Sequence, residues 1–546
     1  MDTFKKIAGK LERIVDGALA GRVGASALFL VFSGIIAIRV LEEKFLAYSP
    51  AASGEIIVEY LHNFLFFANT FILIWLVLSW FLRKNPVVIA PVVSWAFFLI
   101  LFPPLIDMAK TGGDIFWSFY LLNDPPGLWR QFITVFGDLP SGIVYFGSKI
   151  VFLVAVVFSF LLVWLKTRRF SKAFFSALAV YAALFFMGSF PSWATFAYQF
   201  FHGRDVMAVS GIQVAQFFGS PRPIFGLEAN TLKYAFAYHL DMVFYLFFLG
   251  LLAFLFFWAS RTKFLAVIGN ARLPQLIYHS GLFVVGLGLG FLAYPQNMHF
   301  NFFAFLAVPV LLASVWLAWL ASVVVNDLYD SRVDAVSNPE RPLQKKIFTP
   351  DEYKEAGIIF FALSLLGGLV IGVKFAIILL IYQIIACFYS AEPYRLKRFL
   401  GVATFFSAIA SLLVVFLGFV LFSGADNLRV FPWRVGFLLL IALTISLPIK
   451  DLKDIAGDKK DDVWTVPVLW GENIGRIIIA AGVFASFVLS VFFLNEFKLF
   501  WWSVLLGSAA FLATVSQKIK PRQVFWWVLG IVGIYGLIVA KIVFVG

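Results

Sequence analysis

The strongest constraint on this chain is the recurrence of almost uncharged apolar runs of about 20 residues, each long enough to cross the hydrocarbon core of a bilayer as a helix. About six such runs lie near 25–41, 57–82, 86–107, 143–166, 172–192 and 234–259. About nine more lie near 276–294, 301–326, 355–373, 375–390, 399–422, 433–450, 473–494, 499–515 and 523–545. In lipid, backbone polar groups have to be satisfied inside the segment, so runs of this length predict helices. The chain reads as an all-α polytopic membrane protein. Its composition agrees, with 62% hydrophobic and 13% charged residues and one cysteine, Cys387, inside an apolar run. A disulfide framework and a metal–thiolate module are excluded.

The net charge of +13 is read as membrane topology and not as a nucleic-acid surface, because the basic residues sit in short loops between apolar runs. With a cytoplasmic N-terminus, the cytoplasmic side receives about 30 of the 43 Lys and Arg. These include Lys166-Thr167-Arg168-Arg169 and Arg395-Leu396-Lys397-Arg398. The first 22 residues alternate Lys5, Lys6, Lys10 and Arg13 with Phe4, Ile7, Leu11, Ile14 and Val15, which predicts an amphipathic interfacial helix and not a signal peptide. An even number of spans before the basic connector Arg261, Lys263 and Arg272 returns the chain to the cytoplasm. The expected division is a membrane domain over 1–264 and a second over 265–546, with the C-terminus on the opposite side.

Two acidic clusters stand at the predicted cytoplasmic ends of spans. The first runs Asn326-Asp327-Leu328-Tyr329-Asp330-Ser331-Arg332-Val333-Asp334, and the second Lys450-Asp451-Leu452-Lys453-Asp454-Ile455-Ala456-Gly457-Asp458. Three-and-four spacing puts Asp327, Asp330 and Asp334 on one helical face, within reach of the Asn326 carbonyl, and does the same for Asp451, Asp454 and Asp458. Like charges so placed repel, and an acid at the bilayer centre costs roughly 2.5–3.5 kcal/mol. Solvated helix-end charges are the bland alternative for any one Asp. Two matching clusters point instead to a bound cation: hard Mg²⁺, shared between carboxylates and the phosphates of a diphosphate substrate. Arg332, Arg341, Lys345 and Lys346 follow the first cluster, and Lys450, Lys453, Lys459 and Lys460 border the second. Arg341 stands out because Pro339 and Pro342 restrict its backbone.

These residues resemble the UbiA superfamily of intramembrane prenyltransferases. The likeness rests on NDxxDxxxD at Asn326–Asp334, NPxRPL at Asn338–Leu343 and DIAGD at Asp454–Asp458, with Thr465, Pro467 and Gly471 following. It also rests on Tyr389-Ser390-Ala391-Glu392-Pro393-Tyr394-Arg395-Leu396-Lys397-Arg398, in which Glu392 replaces a common proline. The resemblance covers roughly residues 265–546 and implies a nine-helix UbiA-type bundle there, preceded by an additional bundle of about six helices that it does not reach.

What the resemblance implies is Mg²⁺-dependent transfer of an isoprenyl group from its diphosphate to a membrane-soluble acceptor. Metal would be held by Asn326, Asp327, Asp330, Asp334, Asp451, Asp454 and Asp458. Asp327, Asp330, Asp334, Asp454 and Asp458 would be the catalytic set, and Arg332, Arg341, Lys397, Arg398, Lys450, Tyr389 and Tyr394 would face the diphosphate. Spacing alone does not separate the two tyrosines. The wording of the motifs leans toward members acting on homogentisate, chlorophyllide or geranylgeranylglyceryl phosphate. None of the five histidines lies in a motif, and His62, His239 and His279, in or beside apolar runs, read as hydrogen-bonded structural residues.

Two other readings stay open. Phosphoribosyl transfer to a polyprenyl phosphate uses the same metal logic, but its members tend to carry a more basic HPxKRxRP-like stretch where this chain has Asn338 and Glu340. A transporter or lipid carrier, considered mainly for the first half, predicts charges near mid-helix. In that half Asp107, Asp114, Asp124, Asp138 and Asp205 lie in connections expected to be solvated, one of them running from 193 to 233 and containing Gly203-Arg204-Asp205 and Ser220-Pro221-Arg222-Pro223.

Overall fold

A computed structural model describes residues 2–21, 23–46, 53–111, 121–137, 146–227, 232–426, 428–460 and 462–542. Among the described residues the ordered structure is helical apart from a single bridge between Ile224 and Leu227. Among the described residues, fifteen helical segments are long and apolar enough to cross a membrane. The chain divides into two compact units, Met1–Arg222 with Ala229–Phe264, and Pro223–Glu228 with Leu265–Gly546. The short segment Pro223–Glu228 thus departs from the predicted first domain. Its Gly226 N–H donates to Phe422 O at 3.0 Å, and Phe225 stacks on Phe422 at 4.9 Å, which fixes it to the second unit.

In the first unit, the helix Asp2–Ala20 is followed by the spans Ala25–Leu46 and Ile56–Leu82. Glu12 and Asp16 of that first helix pair with Arg168, at 2.5 Å, and Lys166. The run predicted as one span over 86–107 is subdivided into Pro86–Ala96, a 3₁₀ turn Phe97–Leu101 and Phe102–Thr111. Pro103 and Pro104 cannot donate backbone hydrogen bonds at this break. The connection expected to be solvated over 193–233 is largely helical, with Phe190–Phe201 and Gly211–Gly219, the latter opened by a capping box between Ser210 and Gln213. Val209 and Val214 join Leu122, Leu128, Phe136, Phe185 and Phe196 in a buried core. Asp124 and Asp205 serve as local caps, accepting from Gly127 N at 2.7 Å and Met207 N at 2.9 Å, whereas Asp107, expected in a solvated connection, is buried in the helix Phe102–Thr111 and accepts from the distant Gly147 N at 2.8 Å. Asp114 and Asp138 lie outside the described residues.

The second unit holds the spans Leu273–Ala293, Phe302–Tyr329, Pro350–Ile371, Val373–Ser390, Val402–Ser423, Trp433–Lys453, Val466–Leu494, Phe497–Val515 and Pro521–Ala540. Local sequence starts several of them: Asn301 accepts from Ala304 N at 2.9 Å, and Thr349 with Glu352 forms a capping box around Pro350. Helices Leu273–Ala293 and Val402–Ser423 touch through glycine. A Cβ on Gly286 would lie 2.0 Å from Val415 O, and one on Gly418 2.2 Å from Phe283 O. Small residues let helix backbones approach this closely in lipid, where burial between helices gains little over burial in acyl chains.

Candidate active site

The first acidic cluster forms where the helix Phe302–Tyr329 ends. Asp330 leaves helical geometry at φ −96°, ψ 15°, and a short helix Ser331–Ser337 carries on to Asp334. The second forms where Trp433–Ser446 tightens into a 3₁₀ segment, Leu447–Lys453, before the short helix Ile455–Lys460. A 3₁₀ turn aligns residues three apart and an α-turn those about four apart, so Asp451, Asp454 and Asp458 keep a common side without the single α-helix that the spacing suggested.

The clusters meet at one end of the second unit. Asn338 Nδ2 donates to Asp334 Oδ1 and to Asp454 Oδ1, both at 3.2 Å. Gly457 permits that approach, since a Cβ there would lie 2.3 Å from Ser337 Oγ and 2.6 Å from Val333 Cγ1. Asn326, Asp330, Asp334, Asp451, Asp454 and Asp458 all border one cavity of about 230 Å³. Its remaining wall is basic at one part, with Arg272, Arg341, Lys397, Lys450 and Lys453, and largely apolar at another, with Trp319, Val323, Ile385, Ala386, Phe406 and Ala410.

The two clusters differ in their counter-charges. Arg341 Nη1 donates to Asp327 Oδ1 at 2.9 Å and also to Asp334 Oδ2. Asp330 receives Arg395 Nη2 at 3.2 Å and Lys397 Nζ. Asp327, 1% exposed, is enclosed by Arg272 at 2.7 Å, Asn270 at 2.7 Å and the Tyr353 hydroxyl at 3.0 Å. Asp327 is not among the residues that border the cavity. In the second cluster Lys453 stands 3.6 Å from Asp454, and neither Asp451 nor Asp458 has a cation at ion-pair distance among the described residues. Burial first, then the charges of Asp451 and Asp454, push the Asp458 carboxyl up to about 8. Burial also raises Asp334, to about 6, against the lowering influence of Arg341. Two crowded carboxyls held above their ordinary range mark a place where added positive charge is favourable.

Of the other residues singled out in the sequence, Tyr389 borders the cavity and accepts from Lys450 Nζ at 3.1 Å, while Ser407 Oγ takes a second bond from the same nitrogen at 3.2 Å. Tyr394 is 59% exposed and packs on Phe388. Arg332 is exposed, and Arg398 pairs with Glu392 at 3.1 Å. Lys345 is an exposed partner of Glu340. In the sequence Arg395 and Lys453 read as basic residues of the motifs but not as diphosphate-facing ones, and Arg272 only as a topology charge. Arg395 adopts φ +38°, which the spacing of basic residues does not reveal. A readable signal for Arg272 was Asn270-Ala271-Arg272 directly before a span. His279 is hydrogen-bonded as expected, its Nδ1–H donating to Gln275 O at 2.7 Å and Nε2 accepting from the Tyr382 hydroxyl at 3.0 Å, but it also lines the cavity.

Among the described residues no three carboxylate, histidine or cysteine side chains are gathered into a closed metal cage. The all-oxygen donor set, split between two motifs and crowded to the point of raised carboxyls, nevertheless fits a hard divalent cation of the kind that fills its coordination shell with water and substrate phosphate.

Comparison with known proteins gives this site its context. The model of the UbiA prenyltransferase family matches residues 281–524. A digeranylgeranylglyceryl phosphate synthase from Methanothermobacter thermautotrophicus is 29% identical over 220 residues, which is 39% of this chain and 75% of that protein. A homogentisate phytyltransferase from Synechocystis is 26% identical over 240 residues, 40% of this chain and 72% of that one. Among solved structures, a UbiA homolog from Archaeoglobus fulgidus bound to DMAPP and Mg²⁺ aligns with TM-score 0.37 and 20% identity, covering 49% of this chain and 97% of its own. The span matched by the UbiA prenyltransferase family model contains both aspartate motifs, so it is the C-terminal half of the chain that is similar to this family.

Proposed function

We propose that the second unit transfers an isoprenyl group from a polyprenyl diphosphate to a glycerol-phosphate-type lipid precursor within the membrane. The observation that carries this reading is a single cavity edged by both aspartate motifs and five basic side chains and continued by an apolar wall. The relatives that are digeranylgeranylglyceryl phosphate synthases support the glycerol-phosphate acceptor over the aromatic one.

In this proposal Asn326, Asp330, Asp334, Asp451, Asp454 and Asp458 hold Mg²⁺ together with the diphosphate. Bound there, the metal supplies Lewis-acid charge that stabilises the departing diphosphate. The chain's own cations do the rest. Arg341 and Lys397, now on carboxylates, and Lys450, which has used two of its three donors on Tyr389 and Ser407, offer charge-assisted hydrogen bonds to phosphate oxygens. Asp327 positions Arg272 and Arg341. Trp319, Phe406 and the aliphatic wall take the prenyl chain and exclude water from the allylic carbon as its bond to oxygen breaks and a new bond to the acceptor oxygen forms. The charge bias of the loops supports a cytoplasmic site, a cytoplasmic N-terminus and a C-terminus on the other side.

The test is product identification. Purified protein in detergent is incubated with Mg²⁺, geranylgeranyl diphosphate and, separately, geranylgeranylglyceryl phosphate or homogentisate, and products are read by mass spectrometry. A prenylated glycerol-phosphate lipid is the expected product. Prenylated homogentisate alone would replace the acceptor. Inactivity with both, together with turnover of phosphoribosyl diphosphate and polyprenyl phosphate, would replace the reaction.

A further inference from the structure

The first unit has a feature that prenyl transfer does not use. Between the helices Ala25–Leu46, Ser53–Leu82, Pro86–Ala96 and Phe146–Thr167 lies a cavity of about 790 Å³, walled chiefly by residues such as Phe66, Phe67, Ile74, Leu99 and Leu162. Protein interiors are close-packed, and a mostly apolar space of this size with a few polar groups is typical of a small-ligand site.

Its polar groups define the ligand. Arg39, 3% exposed, is the only Lys or Arg on the wall among the described residues; its Nη2 donates to Glu43 Oε1 at 2.7 Å and its Nη1 to Ile100 O. Its Nε–H is buried without an acceptor among the described residues. A buried donor of this kind costs free energy until an acceptor arrives. His62, also on the wall, has Nδ1 2.6 Å from Oδ1 of Asp241, which is 2% exposed. In the tautomer that gives Nδ1–H to the carboxylate, Nε2 is the ring's acceptor nitrogen. Glu43 balances Arg39, and the wall holds no surplus positive charge, so an anionic head would enter an apolar space without compensation. A hydroxyl both accepts from an N–H and donates to a ring nitrogen.

We propose that this cavity binds an uncharged single-chain lipid ending in a hydroxyl group, with Arg39 and His62 facing the head and the apolar wall facing the chain. This site is independent of the prenyl-transfer reading. The test uses the full chain in detergent with a photoreactive C20 isoprenoid alcohol, followed by peptide mapping and competition. Labelling is expected on peptides from the helices Ser53–Leu82 and Phe146–Thr167. Unlabelled alcohol should compete at least about tenfold better than the phosphate of the same chain or phosphatidylglycerol, whose charge the wall does not compensate. Arg39→Gln should weaken labelling similarly. Ala155→Trp, which narrows the cavity and leaves its polar groups intact, should weaken labelling and remains decisive if Arg39→Gln does not insert. Equal competition by the phosphate or by phosphatidylglycerol, or undiminished labelling in Ala155→Trp, would overturn the proposal.

Discussion

The two aspartate motifs share one spacing but meet their charge in different ways. In the first, Asp327, Asp330 and Asp334 are each held by Arg or Lys side chains. In the second, one lysine stands 3.6 Å from Asp454, and burial followed by the charges of Asp451 and Asp454 pushes the Asp458 carboxyl up to about 8. Equal spacing therefore does not mean equal roles. The first motif has cations that can be handed to a diphosphate, and the second has a deficit of positive charge that a divalent metal would fill.

The sharpest way to break this comparison is to neutralise one acid in each motif. Asp330→Asn and Asp454→Asn should each lower Mg²⁺-dependent turnover by at least about a hundredfold while the protein still inserts, the range seen when one electrostatic stabiliser is removed. Near-normal turnover in both, measured by diphosphate release, would dismiss the shared site. Gly457→Ala comes next. Its methyl would intrude on Ser337 and Val333, force the motifs apart and cost on the order of a hundredfold in rate, with partial recovery on adding Ser337→Ala. Recovery would be read from initial rates of the double variant.

Asp327→Ala should separate the motifs by stability and not by chemistry alone. It removes the carboxylate that pairs with the partly buried Arg272 and leaves the buried Arg341 to Asp334, a loss worth roughly 3 kcal/mol. A clear fall in melting temperature is expected, larger than for Asp454→Asn, and an unchanged melting temperature would contradict the proposed locking role. A pH series reads the same contrast. Asp458 is raised in the folded protein and sits near 4 when unfolded, so its contribution to stability is full below about pH 4 and is lost as pH rises toward 8. Mg²⁺ should therefore raise the melting temperature more at pH 8 than at pH 5.5, compared with the protein in chelator. The smallest effects distinguish the tyrosines: Tyr389→Phe should cost about tenfold in turnover by removing an acceptor from Lys450, and Tyr394→Phe less than about twofold.

Much of the architecture was legible because lipid leaves an apolar run of 20 residues little choice but a helix. The acids that edge the cavity were legible for a similar reason: clustered charge at a helix end needs a partner. Hidden from the sequence were features made by distant segments or by one backbone angle. Asn270, Arg272 and Tyr353 close around Asp327 from separate helices and connections. Arg395 turns to Asp330 through a positive φ, while its neighbour Arg398 pairs with Glu392. In the first unit the expected loop over 193–233 concealed a capping box at Ser210 and Gln213 whose polar letters read like loop composition.

Calorimetric titration of the purified protein with a non-hydrolysable geranylgeranyl diphosphate analogue, with and without Mg²⁺, tests the joint site most directly. The account predicts binding that requires Mg²⁺ and is lost in both Asp330→Asn and Asp454→Asn. Binding that is indifferent to Mg²⁺, or retained in either variant at wild-type affinity, would contradict it.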